Sequence, residues 1–245
     1  MSVLVVEGVC VGCSRGAGWV PVLSGVSFDV ERREVVAIVG GRRAGKTTLL
    51  EIAAGIALPE RGSVWLGERE LTRMPERRRV RLRGREVVWL DRVGMAQQLQ
   101  VSRIVGWPVS LTLGRREARR RAGVMLERVG ALELAGARWV ELSPWEQVLV
   151  GLARGFVASP DLVVVDDLLD GLGADGTAQA LRLVRSLIAE SASYPGLLMG
   201  ASDRDSAVLA DRVWSLGEGK LTPTSGHRRS QADVLPIRRG QQEGD

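Results

Sequence analysis

The sequence predicts an α/β fold, a wound core with a mostly parallel sheet, and three observations predict it. Apolar runs of strand length alternate with helical stretches from the N-terminus to about Leu221. The run Val35-Val36-Ala37-Ile38-Val39 is apolar at every position, the pattern of a strand covered on both faces. That run passes into a glycine-rich turn and then a helix, the unit from which parallel sheets are wound.

Taken in order, Val3 to Val6 and Val26 to Val30 have strand length and come first. After Val35 to Val39, a helical run spans Leu49 to Ile56. The Arg61-Gly62 turn precedes a strand around Val64-Trp65-Leu66, and Val87 to Leu90 reads as another. From about Asp91 to Glu141 the pattern is helical, with apolar spacing clear in Ala122 to Leu134. A helical subdomain of about residues 91–157 is therefore expected as an insertion. The sheet pattern returns at Leu162-Val163-Val164-Val165. A helix Asp175 to Ala189, a strand Leu197-Leu198-Met199, a helix Asp205 to Ala210 and a strand Val213-Trp214-Ser215-Leu216 follow. Residues 222–245 are polar and rich in Arg and Gln, so a disordered tail is expected after a single domain over residues 1–221. No internal repeat is present.

Composition narrows the function classes. Apolar residues are 45% and charged residues 26%, the balance of a folded soluble chain. No stretch approaches the roughly 18 unbroken apolar residues that cross a bilayer. The start MSVLVVEGVC lacks the basic head and long apolar run of a secretion signal, so a cytoplasmic chain is expected. Any membrane role then comes through a partner. Cys10 and Cys13 form a lone C-x-x-C, too few cysteines for a disulfide framework and two ligands short of a zinc site. His227 is the only histidine and lies in the polar tail.

The net charge is +5, and only Lys46 and Lys220 among the 34 basic residues are lysine. Arginines concentrate in Glu76 to Glu86 and in Arg115 to Arg121. Both clusters carry glutamate, and neither has an interleaved aromatic residue to stack bases, so they read as solvated helix faces. A nucleic-acid partner is not expected. Against this arginine bias, Lys46 stands where a compact ammonium fits between phosphates better than a guanidinium.

Gly40 to Thr47 fits G-x-x-x-x-G-K-[ST], with an apolar strand before it and a helix after it. The residue types follow from the chemistry. Glycines let the backbone wrap so that N–H groups converge on phosphate oxygens, and the helix N-terminus adds its positive dipole end. Gly40, Gly41, Arg42, Arg43, Ala44, Gly45, Lys46, Thr47 and Thr48 are the expected nucleotide contacts. Lys46 is placed to reach the β- and γ-phosphates, and Thr47 to offer its hydroxyl to Mg²⁺. ATP and Mg²⁺ are the expected cofactors.

From Ser2 to about Leu221 the chain resembles the ATP-binding cassette (ABC) ATPases. Val22 to Val30 resembles the strand before the family's phosphate loop. Gly67-Glu68-Arg69-Glu70-Leu71-Thr72 with the Arg-rich helix after it is most similar to the branch that serves macrolide export and lipoprotein release. Leu142-Ser143-Pro144-Trp145-Glu146-Gln147 occupies the place of the LSGGQ signature, and Val150 to Gly155 resembles the helix that follows it. Leu162 to Val165 with Asp166-Asp167 resembles the Walker B strand. The resemblance implies a P-loop NTPase core, an antiparallel N-terminal β subdomain and an inserted helical subdomain. It implies that Asp166 holds Mg²⁺ through water and that Asp167 stands where a glutamate polarises the attacking water. Ser143 would address the ATP of a second cassette. For Trp19 two readings stand, stacking on adenine and packing in the core.

The chain departs from the family at several of these positions. Asp167 is one methylene shorter than glutamate, and a displacement of about 1 Å in a catalytic group can cost on the order of a hundredfold in rate. Ser202 falls where a histidine senses the γ-phosphate, and Asp91 or Arg92 where a glutamine links the metal site to the helical subdomain. Arg43 replaces a loop glycine, with a risk of backbone strain. Pro144 removes an N–H from the signature and Trp145 adds bulk, while Ser143 and Glu146 make a capping box. That helix start is read two ways, as a stability feature and as a signature that still closes on ATP less tightly. Slow hydrolysis is expected.

Three functions are compatible with these residues. One is the motor subunit of a transporter, paired with a second cassette and a separate integral membrane permease, and so peripheral on the inner face of the cell membrane. Another is an ATP-dependent clamp or regulatory subunit of a membrane complex. A third is a soluble cassette protein acting on nucleic acid or ribosomes. The resemblance places the permease contact in the region from Arg92 to Val109, which includes Trp107.

Overall fold

The computed structural model describes residues 1–15, 18–91, 98–166, 168–169, 172–203, 205–207 and 210–224; for 13–15, 18–19, 174 and 205 it describes the backbone alone. Strands β1 (Ser2–Arg15) and β2 (Gly18–Glu31) pair antiparallel, far longer than the two short apolar runs suggested. Strand β3 (Val35–Val39) follows, then helix α1 (Lys46–Ala53), strand β4 (Arg61–Leu66) and the short β5 (Arg69–Glu70). Strand β4 pairs with the free side of β1, with Leu4 opposite Leu66 and Val6 opposite Val64, and β5 pairs with β4. The sheet order is β2-β1-β4-β5.

The second sheet carries the site. It collects β3 with β6 (Val87–Leu90), β7 (Leu162–Val165), β8 (Gly196–Ala201), β9 (Arg212–Gly217) and β10 (Lys220–Pro223). Its order is β10-β9-β3-β8-β7-β6, with every pair parallel except β9 and β10. The side chains of β3 alternate between two cores. Val35, Ala37 and Val39 join Val163, Val165 and Met199 against the helical layer. Val36 and Ile38 face the other way, onto Leu49, Leu50 and Ile52 of α1 and onto Leu4, Val6 and Phe28 of the antiparallel sheet. Burial on both faces explains why β3, β7 and β8 read as unbroken apolar runs.

Helix α2 (Glu76–Glu86) corrects the expectation of a wholly solvated arginine face. Arg79 is buried and donates from Nε to the Gly55 carbonyl at 3.1 Å and from Nη1 to the Met74 carbonyl at 3.2 Å. Arg83 donates to the same Gly55 oxygen at 2.9 Å. Gly55 lies just past the C-terminal end of α1, where the partial negative charge of the helix attracts cations. Burial, and next the neighbouring Arg79, hold the Arg83 pKa below its ordinary value.

Helix α3 spans Val101–Arg128 and breaks at Gly114, whose φ of 77° and ψ of 163° are not helical. Halves 101–113 and 115–128 fold back on each other: a Cβ at Gly106 would come within 3.0 Å of the Ala118 carbonyl oxygen. Two 3₁₀ turns, Leu132–Gly136 and Trp139–Glu141, lead to α4 (Pro144–Phe156). Helix α5 (Gly173–Glu190) covers the same face of the parallel sheet. The helix expected over 205–210 is only a 3₁₀ turn at Asp205–Ala207, with 208 and 209 outside the described residues. Strand β10 runs through Pro223, so sheet pairing passes the boundary that composition suggested after residue 221. No helix among the described residues is long and apolar enough to cross a membrane.

Candidate nucleotide site

The site forms at the C-terminal edge of the parallel sheet, where β3 lies between β8 and β9. In wound sheets the crevice at such a strand edge is the usual ligand position. The chain leaves β3 at Gly40, whose N–H donates to the Ala201 carbonyl at the end of β8, 3.2 Å away. A Cβ on Gly40 would come within 2.7 Å of the Leu216 carbonyl oxygen of β9, so this exit from the sheet admits only glycine. The loop then closes on itself, Ala44 N–H donating to Gly41 O at 3.2 Å. Gly45 turns at φ 98°, and a Cβ there would sit 3.1 Å from Val22 of β2. The antiparallel sheet therefore backs the loop.

Arg43 is exposed and adopts a φ of 66°. A side chain in this left-handed region costs about 1–2 kcal/mol, so the position would suit glycine better than arginine. The strain expected from the sequence is present.

Helix α1 begins at Lys46 with no side-chain cap and no acidic residue in its first turn. Its positive end is left to the loop. Lys46 folds back over the loop, its Nζ donating to Gly40 O at 2.7 Å and to Gly41 O at 3.4 Å. Thr47 is exposed and Thr48 half-buried in the same first turn. Asp166 directly follows β7, is 5% exposed, and its N–H donates to Leu90 O at 2.9 Å. A Cβ built on Gly200 would lie 3.3 Å from Asp166 Oδ1 and 3.8 Å from Lys46 Cε. One glycine of β8 thus lets the carboxylate and the lysine stem approach a common point. Gly200 falls just after the run Leu197-Leu198-Met199 read as a strand, whereas the structure places it inside β8, where a glycine permits this close approach.

Ser202 is exposed one residue past β8, on the edge that holds Gly40, and its Oγ donates to Asp203 Oδ2 at 3.4 Å. Asp203 Oδ1 accepts from both the N–H and the hydroxyl of Ser206 at 2.8 Å. Asp167 and Arg92 lie outside the described residues, as does the side chain of Trp19.

Ser143 sits on a different element. It caps α4, accepting from Glu146 N–H at 3.4 Å, while Glu146 Oε2 accepts from Ser143 N–H at 2.7 Å. Those bonds to Ser143 hold the Glu146 carboxyl below the usual carboxylate range. Pro144 opens the helix and Trp145 packs half-buried against the core. Further along α4, burial lowers the Arg154 pKa against the opposing charge of Asp91, which directly follows β6 and accepts from Trp89 Nε1 at 3.1 Å. Cys10 is a free thiol whose Sγ accepts from Gly25 N–H at 3.2 Å.

An anion-binding loop, a flexible ammonium and a nearby carboxylate are the parts that phosphate and a divalent cation require. Comparisons with known proteins agree. A sequence profile of the ABC transporter family matches residues 23–169. The lipoprotein-releasing system ATP-binding protein LolD of Pseudomonas fluorescens is 35% identical over 211 residues, covering 84% of this chain and 91% of that protein. The macrolide export ATP-binding/permease protein MacB of Agrobacterium fabrum is 27% identical over 235 residues, which is 95% of this chain and 36% of that protein. Among solved structures, a dimeric post-hydrolysis ATP-binding cassette bound to ADP and Pi matches with a TM-score of 0.79 at 19% identity, covering 89% of this chain and 96% of that one. At that identity the structural likeness speaks for the fold alone. The family match and the LolD relative carry the assignment, and on them the chain belongs to the ABC transporter family, among its ATP-binding subunits.

Proposed function

We propose that this chain binds MgATP in the loop from Gly40 to Thr48 and couples that binding to a separate membrane permease, with slow hydrolysis. The observation that carries the reading is the meeting of Lys46 and Asp166 across Gly200, beside an uncapped helix N-terminus. Lys46, now on two loop carbonyls, would move onto phosphate oxygens and exchange those bonds for charge-assisted ones. Thr47 and Asp166 are the residues that would hold Mg²⁺, which neutralises phosphate charge when bound. Arg42 and Arg43, both exposed, add positive charge at the rim.

The chain is taken as one cassette over residues 1–221 that pairs with a second cassette. Each composite site would then use one loop and the other chain's α4 start. Ser143, Pro144 and Glu146 bear on that trans contact, and Asp167 and Ser202 on hydrolysis. A general base contributes about 10² to 10⁴ in rate, so a short aspartate in that role slows turnover markedly. The chain acts at the inner face of the membrane, held there by its permease. The self-satisfied cap at Ser143 favours a second reading, an ATP-responsive clamp that barely turns over.

MgATP turnover of the membrane complex that copurifies with the chain tests the proposal, with wild type compared against Asp167→Glu. Slow wild-type turnover that rises at least tenfold in the variant is expected. Fast wild-type turnover with no gain from the longer side chain would overturn the slow-site reading. Absent turnover in both, with ATP bound, would replace the motor by the clamp.

A further inference from the structure

A cleft of about 250 Å³ opens where α3, α4 and α5 end together, at Arg128, Phe156 and Glu190. Helix α4 leads into the start of β7 and α5 into the start of β8, so the cleft lies at the edge of the parallel sheet opposite the phosphate loop. None of its lining belongs to residues 92–109, where the permease contact is expected. Its floor is apolar: Met125 of α3, Phe156 and Val157 at the end of α4 and Leu187 of α5 are each 7% exposed or less. Its mouth is charged. Arg121 and Arg128 stand two turns apart on one face of α3, and Glu190 stands opposite Arg128. These guanidinium groups are little used. Among the described residues Arg128 makes no hydrogen bond, and its Nε lies 3.9 Å from Glu190 Oε2, an ion pair too long for one. Arg121 engages only Nε, which donates to Glu117 Oε1 at 3.1 Å. Glu190 Oε1 already accepts from Ser186 Oγ at 3.0 Å.

We propose that this cleft binds a small amphiphilic carboxylate, its carboxylate held by Arg128 and Arg121 and its apolar body laid on Met125, Phe156 and Leu187. Such a ligand satisfies both parts of the cleft at once. The planar fork of an arginine matches a carboxylate, and the floor gains by losing its water. A bare anion leaves the floor wet, and a neutral apolar body covers the guanidinium groups without bonding to them. The volume falls just below the range of about 300–1,000 Å³ that holds drug-sized molecules, so the body is of ring size. The C-terminal ends of α4 and α5 oppose an anion, each by about two- to fivefold in binding. Their Ala153 and Ile188 carbonyls already accept the N–H groups of Val157 and Ser191. A hydrogen bond from a charged donor favours binding by about ten- to a hundredfold, so two arginines outweigh the two helix ends.

Calorimetric titration of the purified full chain without nucleotide tests it, with 2-naphthoate as the probe against 2-naphthamide, acetate and inorganic phosphate. Naphthoate is expected to bind, and each of the others to bind at least about tenfold more weakly. Arg128→Gln and Arg121→Gln should each weaken naphthoate by about tenfold or more. Val124→Glu should abolish its binding, because it sets a further carboxylate at the mouth. Val124 is 39% exposed and both arginines lie at the rim, so a melting temperature close to that of the wild type is expected for every variant and shows that it is folded. No binding of naphthoate by the wild type, or binding that the folded variants retain, overturns the proposal. Equal binding of phosphate would leave the arginines a site for bare anions, and equal binding of naphthamide would leave only an apolar floor; either result overturns it as well. The titration needs no ATP, so its failure is distinguishable from failure of the nucleotide reading.

Discussion

Arg212 offers a test of how the two sheets are joined. It opens β9, its side chain is 4% exposed, and it reaches residues 178 and 183 positions away. The guanidinium donates to Glu34 Oε1 at 2.6 Å, Glu34 Oε2 at 2.8 Å, Asp29 Oδ1 at 2.8 Å and the Asp29 carbonyl at 2.6 Å. Burial alone would lower its pKa, but the bonds to Glu34 and Asp29 outweigh that and hold it above the ordinary value. Asp29 belongs to β2 and Glu34 precedes β3, so one side chain staples the antiparallel sheet to the parallel one. Arg212→Ala would strand two carboxylates. Breaking a buried ion pair on one side costs about 3–5 kcal/mol. The lower end applies, since Asp29 keeps Ser2 Oγ at 2.9 Å and Glu34 keeps the Glu31 N–H at 2.7 Å. A loss of about 3 kcal/mol in a domain of this size lowers the melting temperature by about 6–12 °C. Thermal melts followed by circular dichroism measure it, and adding Asp29→Asn and Glu34→Gln should restore most of the loss. A drop equivalent to less than about 1 kcal/mol would refute the reasoning, because it would mean that water already screens the network.

Arg79→Ala should cost about 2 kcal/mol in urea unfolding, since two bonds from a charged donor are lost and Gly55 O keeps only Arg83; an unchanged midpoint would contradict this. Arg43→Gly should stabilise the chain by about 0.5–1 kcal/mol, as relief of the left-handed backbone exceeds the entropy cost of glycine, and destabilisation would count against the strain. The hydrogen bonds from Arg120 and next Arg121 depress the Glu117 pKa to about 2 from 4.5. Because the folded value is the lower one, whatever this pairing contributes is present above pH 4.5 and lost as pH falls toward 2. An NMR titration should place it there and move it upward in high salt; a midpoint near 4.5 in low salt would dissolve the pairing.

Much of the fold was legible because burial on both faces writes itself as unbroken apolar runs, as in Val35–Val39 and Leu162–Val165. The phosphate loop was legible because its chemistry is local, from strand end to helix start within a few residues. Long-range juxtapositions were not. Nothing near Gly200 in the chain announces Lys46 and Asp166, and nothing near Gly55 announces Arg79, whose charge made it read as solvated. The length of β1 and β2 was hidden because their outer halves, such as Gly8 to Gly12, lack the β-branched density of a buried strand. Gly114 was lost inside a helical periodicity that continues on both sides of the break. Composition placed the end of the fold before Thr222, although Thr222 and Pro223 pair with Ser215 and Trp214 as an edge strand.

The central claim is that Lys46 and its loop hold the nucleotide, and equilibrium binding of ATP to the purified chain with Mg²⁺ tests it most directly. A hydrogen bond from a charged donor is worth about 1.5–3 kcal/mol, so Lys46→Ala should weaken binding by about ten- to a hundredfold in a variant that still folds, its melting temperature lowered only by the loss of the bonds to Gly40 and Gly41. Equal affinity in wild type and Lys46→Ala, or no binding to the folded wild type, would contradict the account.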